Sequence, residues 1–160
     1  MHEMFFLNLE IGKWNAIISR QFEGFIKREM KDYNLTYNEF FFLMGVGRGD
    51  KVTDKAHFVE SLCIDKTMAT RSLKALECKG YVKMPKLKNP QSGDFWQVAL
   101  TPRGQQAQEA GQKLMHIWIG IVFKDMDAET QEQLLALNRQ MAKNVLSVTS
   151  PTTIMTGKLP

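Results

Sequence analysis

The chain of 160 residues carries only two cysteines, Cys63 and Cys78, and three histidines. Two thiols cannot staple a small secreted scaffold, and three scattered histidines give no metal-ligand spacing. Long apolar runs are missing too. Nothing approaches the about twenty consecutive apolar residues of a spanning helix, and charged residues make up 24% of the sequence. Phe5-Phe6-Leu7 has no basic segment before it and is interrupted by Asn8 and Glu10, so no signal peptide is expected. Nor is there a nucleophile–base pair, a glycine-rich phosphate loop or a metal cluster, and Asp125 and Asp127 read as a helix start; an enzyme is the least expected class. With 44% hydrophobic residues the chain can build a core. Its length suits one ordinary domain, or a compact core with a dimerisation arm. The expectation is a reduced, cytoplasmic protein with no metal, no cofactor and no membrane association.

What is present is an uneven charge. Between Asp65 and Arg103 stand eight basic residues (Lys66, Arg71, Lys74, Lys79, Lys83, Lys86, Lys88 and Arg103) against Asp65, Glu77 and Asp94, which makes that segment +5 while the rest of the chain is −1. A basic middle between near-neutral ends is the footprint of a polyanion-binding module carried by other structure. A lysine-rich solvated surface has the same composition, so charge alone does not decide.

Periodicity makes the ends helical. Leu7, Ile11, Trp14, Ile18, Phe22 and Phe25 recur at spacings of 4, 3, 4, 4 and 3, one long apolar stripe, with Lys27, Arg28 and Lys31 suited to a helix C-terminus. Thr36-x-x-Glu39 fits a capping box, with Leu35 and Phe40 as the staple, and opens a helix through Leu43 and Met44 that Gly47 and Gly49 end. Thr53 or Asp54 is predicted to cap a helix bearing Phe58, Val59 and Leu62. After a Cys63-Ile64 turn, Asp65 caps a fourth helix with Met68, Ala69, Leu73 and Leu76 inward and Gly80 at its end. Short helices joined by tight turns make a helix-turn-helix.

The period then changes. Tyr81–Met84 and Phe95–Leu100 read as paired strands, and the polar stretch 85–94, with Pro90 and Ser92-Gly93, as the loop of a basic β-hairpin, a wing. Thr101-Pro102 starts the next helix, with threonine as N-cap and proline at the first helical position. Ala107, Ala110, Leu114, Ile117 and Ile121 form its stripe. Asp127 caps a last helix carrying Leu134, Leu137, Met141, Val145 and Val148. Stripes so regular, without a core of their own, call for partners, and the terminal helices are candidates for an intersubunit bundle. The fold class expected is mainly α with a small β-hairpin wing. Dimerisation helices span 1–34 and 102–148, a winged helix-turn-helix spans 35–101, and a loose tail spans 149–160.

With Met68, Ala69, Leu73 and Leu76 inward, Lys66, Thr67, Thr70, Arg71 and Lys74 share the outer face. Such residues suit a major groove: arginine bonds guanine bidentately, threonine meets a base edge or a thymine methyl, and lysine neutralises phosphate. Any amphipathic helix has a solvated face, but few sit between a tight turn and a basic hairpin. Lys83, Lys86 and Lys88 on that hairpin are placed to follow the phosphate backbone or the minor groove.

The order of these elements resembles the MarR family of winged-helix transcription regulators. The resemblance is carried by Ile64-Asp65-Lys66-Thr67-Met68-Ala69-Thr70-Arg71, by Leu76-Glu77-Cys78-Lys79-Gly80-Tyr81-Val82, and by Leu100-Thr101-Pro102-Arg103-Gly104, which looks like the family's "LTxxG" end of the wing. It implies a homodimer on double-stranded DNA, one recognition helix per half-site of a pseudo-palindromic operator. The residues implied in DNA binding are Lys66, Thr67, Thr70, Arg71, Lys74, Lys86 and Lys88. The chain departs from the family in the wing, where an Asp-Arg pair is usual: Asp94 is present, but no arginine lies between Arg71 and Arg103. Lys86 and Lys88 stand in as point charges without the guanidinium fork.

Many relatives release DNA on binding a small, often aromatic anion, which implies repression relieved by such an effector. Trp14, Phe22, Phe41, His116 and Trp118 are the candidates for lining its pocket, although aromatics at helical spacing more often form core. The family's peroxide sensors carry their cysteine in the first helix, and this one has none. Cys63 reads as packing, and Cys78 beside Lys79 as the more exposed thiol, so redox sensing is the minor alternative. The alternative to DNA binding is a winged helix that docks a protein partner.

Overall fold

The computed structural model describes residues 2–47, 53–54, 66–87 and 95–148, with side chains over 10–47, 66–85 and 98–147. The chain divides into two compact units, Met1–Trp118 and Ile119–Pro160. In the first, helix α1 (His2–Glu29) leads through a 3-10 turn (Lys31–Tyr33) into α2 (Tyr37–Gly45). The two-residue strand β1 (Thr53–Asp54), helix α3 (Lys66–Cys78), β2 (Val82–Lys83), β3 (Lys86–Leu87) and β4 (Phe95–Leu100) follow. Helix α4 (Pro102–Val122) begins in the first unit and runs into the second, which also contains α5 (Ala128–Val148). The predicted mainly helical fold with a hairpin wing is therefore observed.

Local chemistry sets the helix ends. The capping box of α2 is complete: Thr36 Oγ1 accepts from the Glu39 amide at 3.3 Å, and Glu39 Oε2 accepts from the Thr36 amide at 2.8 Å. Leu35 and Phe40, the predicted staple pair, lie in one buried cluster. Thr101 Oγ1 accepts from the Gly104 amide at 3.0 Å and caps α4, and Asp127 Oδ1 accepts from the Thr130 amide at 2.8 Å and caps α5. Helix α2 ends at Gly45 with Val46 as its C-cap, so Gly47 stands just past the end, as expected of a stop glycine. There the buried Gln108 of α4 donates from Nε2 to the Leu43 and Val46 carbonyls, each at 2.8 Å, and satisfies the end of the helix.

The wing is longer than the sequence indicated. Strand β4 pairs antiparallel with β2 (Val82 opposite Leu100) and with β3 (Lys86 opposite Trp96) in one unbroken register. Between them Pro85, having no N–H, breaks the ladder without ending the strand direction. Lys86 and Leu87, expected in the loop, are thus paired. On its other edge β4 pairs with β1 (Thr53 opposite Val98), a third strand the sequence reading missed. The extended backbone of Thr53–Asp54 is also what a helix cap requires. The helix predicted beyond it (Phe58, Val59, Leu62), Gly49, the Cys63-Ile64 turn, Asp65, the wing tip with Lys88, Pro90, Ser92, Gly93 and Asp94, and the tail 149–160 lie outside the described residues.

The core of the first unit joins Ile26 of α1, Met30 in the turn that follows it, Phe40, Phe42 and Leu43 of α2, Ala69, Leu73 and Leu76 of α3, Tyr81, Val82, Val98 and Ala107. The stripe on α1 splits along its length. Phe22 and Phe25 pack against this core, while Ile11, Trp14 and Ile18 stay exposed. In the second unit Leu134, Leu137, Met141 and Val145 are exposed along α5.

Candidate nucleic-acid interface

Helix α3 buries Ala69, Ser72, Leu73 and Leu76. Its other side brings together Lys66, Thr67, Thr70, Arg71 and Lys74, the five side chains singled out on this helix, which line one open groove of about 520 Å³. All but the half-buried Thr70 are exposed. The Thr70 hydroxyl donates to the Lys66 carbonyl at 2.7 Å, so toward an outside partner its oxygen can only accept. Met68, predicted inward, is 39% exposed. At 3.6 residues per turn it sits on the flank of the Ala69–Leu73–Leu76 stripe, about a quarter-turn from the stripe's centre.

The helix ends in a Schellman motif. The Tyr81 amide donates to the Leu76 carbonyl and the Gly80 amide to the Glu77 carbonyl, each at 2.9 Å, with Gly80 at φ 75°. Tyr81 and Leu76, the apolar pair of that motif, are both buried. The start of α4 is held to the same turn: the Thr101 amide donates to the Tyr81 carbonyl at 3.0 Å and Thr101 Oγ1 to the Gly80 carbonyl at 2.6 Å. Met84 at the wing's first strand donates its amide to Glu77 Oε1 at 3.0 Å. Helix α3, the wing and α4 are therefore fastened at one place by hydrogen bonds.

Lys79 points away from the groove. Its ammonium lies 2.7 Å from Glu39 Oε2, a pair that ties the far end of α3 to the first turn of α2. Burial pushes the Glu39 carboxyl up, but the hydrogen bonds from Lys79 and Thr36 outweigh it and hold the group below the usual carboxylate range. Composition had counted Lys79 with the segment's other cations. Its partner was not found because Glu39 lies 40 residues away. The wing offers Lys83, which is exposed, and Lys86, opposite Trp96 in the ladder. Cys78 is exposed, as expected.

The predicted effector residues separate. Phe22, Phe41 and Trp118 come together: the Phe22 ring lies 4.9 Å from Trp118, tilted, and 5.8 Å from Phe41, edge on. Tyr37 and Phe25 extend this cluster. Trp14 is exposed and its indole donates to Glu10 at 2.8 Å, while the exposed His116 ring lies 2.8 Å from the Gln112 carbonyl. Tyr37 also borders a groove of about 450 Å³ shared with Glu23, Lys27 and Lys31. Burial first, then the Glu23 charge, raises the Tyr37 phenol, against a hydrogen bond with Ser19.

No family model matches the chain. Among curated proteins it is 24% identical over 147 residues to the HTH-type transcriptional regulator BilQ of Clostridioides difficile (strain CD3), spanning 89% of this chain and 95% of that one. Among solved structures it resembles a MarR transcriptional regulator of Methanosarcina mazei Go1 (TM-score 0.70, 24% identity, 87% of this chain and 98% of that one). It also resembles a MarR-family regulator of Listeria monocytogenes solved with a 26-mer DNA (TM-score 0.74, 21% identity, 84% and 88%).

Proposed function

The chain has the winged-helix fold of the MarR-family regulators, and on that premise we propose that it is a homodimeric, sequence-specific DNA-binding transcription regulator. The observation that supports this most is the groove on α3, lined by three long cations, Lys66, Arg71 and Lys74, and two shorter threonines. In this assignment Arg71 reads a guanine edge, Thr67 and Thr70 meet neighbouring bases, and Lys66 and Lys74 neutralise phosphate. Lys86 and Lys88 carry the wing's contact, which is electrostatic. Dimerisation is supported by apolar side chains that one chain leaves uncovered, Trp14 and Ile18 in the first unit and Leu137 and Val145 in the second.

Repression relieved by a small aromatic anion completes the proposal. The Phe22–Phe41–Trp118 rings beside the lysines of the Tyr37 groove offer such a molecule stacking and charge. Its binding would favour a dimer whose half-site spacing no longer matches one DNA turn of about 34 Å.

The test is fluorescence anisotropy with duplex DNA across a salt series. Wild type is expected to show a steep negative slope of log affinity against log salt. Arg71→Ala with Lys74→Ala should reduce it by about two phosphate equivalents or fewer, as Arg71 reads bases. A flat wild-type slope, or a double variant indistinguishable from wild type, would sink DNA recognition by α3 and leave the winged helix as a protein-docking module.

A further inference from the structure

Two cations of the basic segment, the half-buried Lys79 and the exposed Arg103, bond to the protein itself and meet at one point. Lys79 bonds Glu39 and also donates to the Asn34 carbonyl at 2.7 Å. The Arg103 guanidinium lies 4.6 Å from the centroid of the Tyr81 ring. From there it donates to the Lys79 carbonyl at 3.0 Å and to Tyr81 Oη at 3.3 Å. Tyr81 Oη in turn donates to the Tyr33 carbonyl at 2.5 Å. The 3-10 turn after α1, the C-terminus of α3 and the first turn of α4 are thus joined through a single arginine.

The geometry at this point has two parts with different consequences. Thr101 and Gly104 hold the start of α4 against the Gly80–Tyr81 backbone, a pivot that needs no side chain at position 103. Arg103 adds contacts away from that pivot, on the last turn of α3 and on the Tyr81 ring. A planar fork that stacks and bonds at once resists rotation about the pivot, which a lysine ammonium cannot do. The guanidinium also meets a carbonyl at the negative end of α3. We propose that Arg103 is a positioning residue: it fixes the angle of the recognition helix against α1 and α4, and so sets which half-site spacing the protein accepts. This rests on the dimeric DNA-binding function proposed above.

The experiment starts from an operator selected with wild type from random duplex DNA. Affinities are then measured for that operator and for versions with one base pair added or removed between half-sites. Wild type is expected to prefer the selected spacing by about tenfold or more. Arg103→Ala and Arg103→Lys should keep a cooperative thermal transition and an unchanged salt slope, because Arg103 touches no phosphate. Their spacing preference should fall to about threefold or less. Should the alanine variant fail to fold, the lysine variant is read alone. Wild-type discrimination in a folded variant overturns the proposal, as does a salt slope reduced by about one, the mark of a phosphate contact. A wild type that binds DNA without any spacing preference overturns the dimeric function itself, and the positioning role with it.

Discussion

Gly104 occupies the first turn of α4, where alanine would ordinarily be the better helix former by about 1 kcal/mol. The fold forbids it. A Cβ at this position would lie 1.9 Å from the Tyr81 carbonyl oxygen, which the Thr101 amide also holds. The obstacle is backbone, so no side chain can swing aside. Gly104→Ala is expected to destabilise the protein by about 3 kcal/mol despite the gain in propensity, read as a lower urea midpoint at constant slope. A midpoint equal to wild type would mean that the α3–α4 junction is looser than this approach requires. The glycine that ends the "LTxxG" pattern therefore has a steric cause. At this scale the sequence was legible where a side chain answers its own backbone. Thr36 with Glu39, Thr101 with Gly104, and Asp127 with Thr130 are all three residues apart, and each predicted cap is observed. Met68 satisfies the apolar spacing from a flank position without being buried.

Between elements the contacts are remote in sequence and leave no local pattern in it. Nothing near Lys79 announces Glu39, and nothing near Gln108 announces the open end of α2. The two residues of β1 are too few to alternate, and Pro85 hid the continuation of β2 into β3. The Lys79–Glu39 pair shows what such contacts contribute, because it clips α3 to α2. Glu39→Gln keeps the capping acceptor but loses the charge, and should cost about 1–2 kcal/mol at neutral pH. The pH dependence has a definite sign. The folded-state carboxyl is held below its unfolded value, so its contribution is fully present above the unfolded pKa and is lost as pH falls through the folded one. Wild type and Glu39→Gln should therefore differ at pH 7 and converge in acid. Denaturation curves across that range check it, and a difference independent of pH would show that the charge of Glu39 is not what matters.

At the scale of the whole molecule, a basic helix face and a set of uncovered apolar stripes belong to one requirement. A single recognition helix reads a few base pairs, and useful affinity comes from two helices held at a fixed separation. In the proposed dimer the stripe on α5 is the means of holding them. Leu137 and Val145 are 63% and 58% exposed in the single chain, more than a stable monomer has reason to leave at regular helical spacing. Leu137→Glu with Val145→Glu places two carboxylates on that stripe without touching the groove on α3. Sedimentation should find wild type at twice the 18.4 kDa of one chain and the variant at 18.4 kDa or unfolded. If the variant remains folded, its operator affinity should drop by about a hundredfold, as expected when one of two linked half-sites is lost. Its affinity for an isolated half-site should stay near that of wild type, because the reading surface is intact. A variant that stays dimeric would remove α5 from the interface, and a monomer that binds the full operator as tightly as wild type would separate DNA recognition from dimerisation altogether.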